Sequence, residues 1–136
     1  MPGISLDVTG WPIVVTTVGG ELLEADLEVY LEDFMNRVVK QGHPFVSVVD
    51  ATALTVVPNS RVRHRIGAWE VKNASLGERV NRGIAIVTQS SLVRGAMTAV
   101  NWMHPPRIPT VYEARLDVAL QWARRILAEA EGGAPR

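Results

Sequence analysis

The chain contains no cysteine. That excludes disulfides, thiolate nucleophiles and cysteine-based zinc sites together. It also has no apolar run of about 18 residues, so no membrane-spanning helix is expected. The first residues, Met1-Pro2-Gly3-Ile4-Ser5, lack a basic segment leading into an apolar one. A secretory leader is therefore not expected, and the cytoplasm is the default location. The signature loops of nucleotide binding, Gly-x-Gly-x-x-Gly and Gly-Lys-Ser/Thr, are missing. So are the Gly-x-Ser-x-Gly nucleophile elbow and the His-x-His and His-Glu-x-x-His metal arrangements. His43, His64 and His104 are scattered, and neither a metal nor a cofactor is expected.

What is present is a domain-sized chain of 136 residues, long enough to bury a core without a covalent staple. Net charge is zero but unevenly spread. Residues 1–58 carry eight acids and two bases, and residues 59–107 carry eight bases and two acids. Such asymmetry can steer a charged partner, or it can mark one acidic and one basic solvated helix.

Pattern gives the elements. Ile4 to Val8 alternates like an edge strand, and the β-branched run Ile13-Val14-Val15-Thr16-Thr17-Val18 follows, ended by Gly19-Gly20. The two should form an antiparallel hairpin. From about Leu23 to Gln41, Leu27, Tyr30, Leu31, Phe34 and Val38 recur at helical spacing opposite an acidic face. Phe45 to Asp50 is continuously apolar, as a strand buried on both faces is, and Gly83 to Thr88 repeats the pattern. Residues 51–57 read as a loop and 74–82 as a less regular connection. Helices are expected from Asn59 or Ser60 to about Asn73, from Ser90 or Ser91 to about Met103, and around Leu116 to Leu127. A short last strand is expected over Ile108 to Tyr112. The domain should occupy residues 1–130, with 131–136 as a flexible tail.

The order β-β-α-β-α-β-α-β-α resembles the STAS-like superfamily, the fold of the SpoIIAA anti-sigma-factor antagonists and of bacterial SpoIIAA-like proteins. The stretches that carry the likeness are Trp11-Pro12-Ile13-Val14-Val15 and Phe45-Val46-Ser47-Val48-Val49-Asp50. With them go Gly83-Ile84-Ala85-Ile86-Val87 leading into Leu92-Val93-Arg94-Gly95, and Ala119-Leu120-Gln121-Trp122-Ala123. The resemblance implies one α/β domain with a mixed, mostly parallel sheet of four or five strands and four helices. It implies a non-enzymatic regulatory or protein-interaction module. Lipid-binding relatives in the same superfamily make a small-ligand or lipid carrier the alternative. In the antagonists a serine at the start of the helix after the third strand is phosphorylated. Ser60 is its nearest counterpart, within Asn59-Ser60-Arg61 rather than an Asp-Ser pair.

Several residues are candidates for function. Arg61, Arg63 and Arg65 could form a docking face for a protein partner with an acidic surface. Nucleic acid is not expected, because the stripe has no interleaved exposed aromatics and the chain is neutral. Ser90, Ser91 and Arg94, with Asp50 and Thr52 at the neighbouring strand end, could form an anion seat. Trp102 and Met103 could form an oligomer contact in a homodimer. Ser60, His64 and Asp50 supply the residue types of a hydrolase without its elbow or oxyanion hole, so an enzyme ranks third. A deep apolar pocket between a helix and the sheet would mark the carrier. A flat, charged helix face would mark the interaction module.

Overall fold

Five strands lie side by side in chain order, β1 (Ile4–Asp7), β2 (Ile13–Gly20), β3 (Phe45–Leu54), β4 (Asn81–Val87) and β5 (Thr110–Glu113). This arrangement comes from a computed structural model that describes residues 3–103 and 108–132, without the side chains at 97, 99–103, 131 and 132. β1 runs antiparallel to β2, and every later neighbour is parallel. The hairpin and the central position of β3 are as the sequence pattern predicts.

The helices are α1 (Glu24–Arg37), α2 (Ser60–Lys72), α3 (Ala74–Val80), α4 (Ser91–Met103) and α5 (Leu116–Gly132). α1 buries Leu27, Leu31 and Phe34, a spacing of four and three that keeps them on one face. A 3-10 turn at Val39–Gln41 follows, and Gly42 closes it in the left-handed region at φ 74°. α2 is capped by Asn59, whose side chain accepts the Val62 amide at 2.9 Å. No helix among the described residues is long and apolar enough to cross a membrane.

Strand alternation sends the two sides of the sheet to different partners. Val46, Val48, Ala85 and Val87 meet Ala119 and Ala123 of α5. On the other side Val14 and Phe45 meet Phe34 and Val38 of the α1 segment, while Val18 meets Leu27, Leu31 and Val62. Five of the eight aromatic residues join in one cluster there. Phe34 packs edge-on to both Phe45 and Trp69, Tyr30 lies against Phe34, and Trp11 against Phe45. Trp122 packs on the α5 side.

Two elements differ from the sequence expectation. β3 continues to Leu54 because β2 runs to Gly20, which pairs with it. Residues 74–80 are helical where an irregular connection was predicted. Asn73 ends α2 by bonding the Trp69 carbonyl with both its amide and its side chain, and the chain re-enters a helix at once. Gly77, a poor helix former, hides this short α3 from pattern reading. At the far end α5 extends through Gly132, and residues 133–136 of the expected tail lie outside the described residues.

Both central junctions contain a bulge. β4 holds one residue more than β3 between the pairs Phe45–Asn81 and Ser47–Ile84. The Asn81 side chain braces it by accepting the Gly83 amide at 3.0 Å. A Cβ on Gly83 would stand 2.7 Å from Trp122 Cη2, so the indole closes onto backbone that has room for no side chain. Gly83→Ala should therefore cost about 1–3 kcal/mol in urea unfolding. The smaller ring of Trp122→Phe should recover about 1 kcal/mol in the double variant. Strict additivity of the two changes would show that the indole does not set the need for glycine.

Candidate functional site

The helices on the α1 side bridge the sheet without filling the space beneath them. A cavity of about 470 Å³ lies between the sheet and α1, α2 and α3, within the ~300–1,000 Å³ usual for ligand sites. Val18, Val49, Ala51, Ile84 and Ile86 form its floor. Leu27, Leu31, Phe34, Ile66 and Trp69 form the roof. A second hollow of about 540 Å³ lies outside, between Trp11, His43, Arg82 and Leu127, and its polar side chains are not buried.

The polar groups lining the cavity are few, and most are already engaged. Thr16 and Tyr30 share a hydrogen bond of 2.6 Å through their hydroxyls. Burial pushes the Tyr30 phenol well above its ordinary range, against the opposing pull of that bond. Asn73 donates to the Trp69 carbonyl, Asn81 accepts from Gly83, and Thr110 donates to the Ile108 carbonyl. Ser47, only 5% exposed, contributes a hydroxyl without a hydrogen bond among the described residues.

Glu70 differs from all of these. It lies on the inward stripe of α2, four residues after Ile66 and eight after Val62, where an apolar residue would fit the pattern. No hydrogen bond or ion pair reaches its carboxyl among the described residues. Burial alone pushes it up from 4.5 to about 7. Glu78 of α3 lines the same cavity and has a partner of its own. Glu70 is the sole acid of α2, and that was the available signal in the sequence: a carboxylate on the buried face of an otherwise basic helix.

The residues singled out from sequence fall elsewhere. Arg61 pairs with Glu24 at 3.1 Å, Arg65 pairs with Glu28, and Arg63 donates to the Pro58 carbonyl. The acidic face of α1 and the basic face of α2 thus meet each other within the chain. Ser60 is the first residue of α2 and exposed, with His64 exposed one turn later. Asp50 stands apart on β3, its carboxylate taken by the amide and hydroxyl of Thr52 at 3.0 and 2.7 Å. That pair closes the second bulge, where β3 holds the extra residue against β2. Ser90 caps α4 by accepting the Val93 amide at 3.2 Å, and Ser91 is exposed beside it. Arg94 sits over the Tyr112 ring, 5.5 Å from its centre. Asp50, Thr52, Ser90, Ser91 and Arg94 share the carboxyl edge of the parallel strands, but no hydrogen bond joins the two groups. Trp102 and Met103 belong to α4, with side chains outside the description. Among the described residues no group of three acids or histidines is placed to hold a metal ion.

No protein-family profile and no curated protein sequence matches this chain. Several solved structures share its architecture. An uncharacterised DUF3478-family protein with a SpoIIAA-like fold, from Shewanella loihica, superposes with a TM-score of 0.60 at 18% identity. The match covers 88% of this chain and 91% of that one. An anti-sigma factor antagonist from Mycobacterium paratuberculosis superposes with a TM-score of 0.56 at 19% identity, over 89% and 92% of the two chains. The mixed five-stranded sheet with helices on both faces is thus a SpoIIAA-like fold.

The lone carboxyl has a measurable signature. Its folded pKa lies above its unfolded value, so the folded state binds the extra proton between pH 4.5 and about 7. Stability should fall as pH rises through that window, by about 3 kcal/mol in all. Glu70→Gln carries no such penalty. Its stability advantage over the wild type should be small below pH 4.5 and reach its plateau above pH 7, as read from urea midpoints across pH. An advantage constant from pH 4 to pH 8 would show an ordinary, solvated carboxylate.

Proposed function

We propose that the protein is a non-enzymatic regulatory module that binds a small apolar molecule in the cavity beneath α2. The cavity is the observation that carries this reading. It is roofed by α1 and α2, floored by the sheet and lined mostly by aliphatic and aromatic side chains. A cavity of this size left dry would forfeit packing, since interiors otherwise close to crystal-like density. An apolar occupant restores those contacts.

The protein-interaction reading rests on different ground. It draws on the likeness to an anti-sigma factor antagonist and on the exposed Ser60 at the start of α2. The α2 arginines support it less well, because Arg61 and Arg65 are occupied by Glu24 and Glu28. In the combined reading, the ligand tunes how α2 sits, and a partner protein senses that surface.

Gly77 provides the test. It lines the cavity from α3, and a Cβ added there meets nothing within 4 Å. Gly77→Phe should fold as well as the wild type, because a helical glycine is replaced and the new ring enters open space. The uncharged fluorophore N-phenyl-1-naphthylamine should bind the wild type saturably with one site. Gly77→Phe should weaken it by about tenfold or more, as a lost apolar contact of 1.4 kcal/mol requires. Ile66→Trp, filling from the roof, should do the same. Non-saturable uptake by the wild type, or unchanged affinity in both filled variants, would end the ligand-binding reading.

A further inference from the structure

We propose that the cavity's ligand is a cationic amphiphile, an apolar body whose protonated amine is seated against the Glu70 carboxylate. This deepens the ligand-binding reading above and rests on it.

The charges lining the cavity set the choice of head group. Among the described residues, no lysine, arginine or histidine lines it, and the ionisable groups that do are Tyr30, Glu70 and Glu78. From the strands come only Ser47, Thr16, Asn81 and Thr110, which do not ionise. The bases of α2 are turned away: Arg61 and Arg65 to α1, Arg63 to the backbone before the helix, and Lys72 to solvent. A carboxylate or phosphate head entering this space would meet acids and no cation. An ammonium head would meet Glu70, the one ionisable group lining the cavity that has neither a hydrogen bond nor an ion pair among the described residues.

Chemistry favours the same match. A carboxyl kept from water is costly when ionised and alone, but inside an apolar wall a charge-assisted bond to an amine is stronger than in water. The free energy that a lone buried carboxylate withholds is returned when the amine arrives. The body of the ligand is defined by the remaining walls: Leu27, Leu31, Phe34, Ile66, Ile84 and Ile86 recognise hydrocarbon or an aromatic ring by area alone. The proton inventory also follows. With the Glu70 carboxyl pushed up to about 7, binding an ammonium at pH 7 should release about half a proton per site.

Decylamine, decanol and decanoate share one chain and differ in head group, so they separate the two readings. Each is titrated by calorimetry at pH 7, below its critical micelle concentration, into the wild type, Glu70→Gln and Gly77→Phe. Decylamine should bind the wild type about tenfold more tightly than decanol, with decanoate weakest. Glu70→Gln should remove the amine's advantage while leaving decanol within about twofold, consistent with a lost charge-assisted bond in an intact cavity. Repeating the amine titration in buffers of different ionisation enthalpy should reveal the released proton, which decanol should not produce. Decanoate binding as tightly as decylamine, or an amine advantage that survives Glu70→Gln, would overturn the head-group assignment while the cavity reading stands. Failure of all three chains to bind the wild type, or equal binding to Gly77→Phe, would overturn both.

Discussion

Period-two alternation along β3 divides the molecule's labour. Val46 and Val48 face α5, where Ala119 and Ala123 let the helix approach closely. Phe45, Ser47, Val49 and Ala51 face the other way, toward helices that span a hollow. The two demands are opposed, since one side asks for dense contact and the other for small or mixed side chains that leave room. A strand can meet both because successive residues belong to different layers. The well-packed α5 side, rather than the hollow one, therefore supplies much of the rigidity on which a cavity depends. Burial of each valine there contributes about 1.5–3 kcal/mol.

Charge follows a comparable division. The sequence's imbalance between an acidic first part and a basic middle is met in part inside the chain, by Glu24 and Glu28 meeting Arg61 and Arg65. These pairs are largely exposed, and each contributes at most about 1 kcal/mol. Their effect is better described as registration, setting how α2 lies across α1 above the cavity. The remaining acid of α2, Glu70, has no such outlet, because the helical period turns it inward.

Much of the architecture was legible because it depends on local pattern. The alternation of Ile13 to Val18, the continuous run Phe45 to Asp50 and the stripe Leu27-Leu31-Phe34 report strand, buried strand and helix directly. The short α3 was not legible, since seven residues with a central glycine carry too little periodicity. The candidate site was barely legible at all. A hollow is a property of how far helices stand from a sheet, and no side-chain pattern encodes that distance. Ser90 and Asp50 drew notice because polar residues at strand ends often serve ligands, yet here they brace a helix start and a bulge. Glu70 escaped notice although its position on the Val62–Ile66 stripe was visible.

The bulge in β4 settles which of its residues the cavity owns. One extra residue near Gly83 shifts the parity of everything after it, so Ile84 and Ile86 look into the hollow while Ala85 and Val87 look at α5. In evolutionary terms the lining can drift by substitution, residue by residue, with the sheet indifferent to the outcome. Loss of one codon at the bulge itself would keep these facings, because it removes only the surplus residue between the pairs Phe45–Asn81 and Ser47–Ile84. A deletion farther along β4 would be another matter, exchanging the two faces of the strand beyond it and pressing Ile86 onto the alanines of α5. A lineage carrying this fold can thus alter the lining of the hollow freely while remaining bound to the length of the strand beyond the bulge.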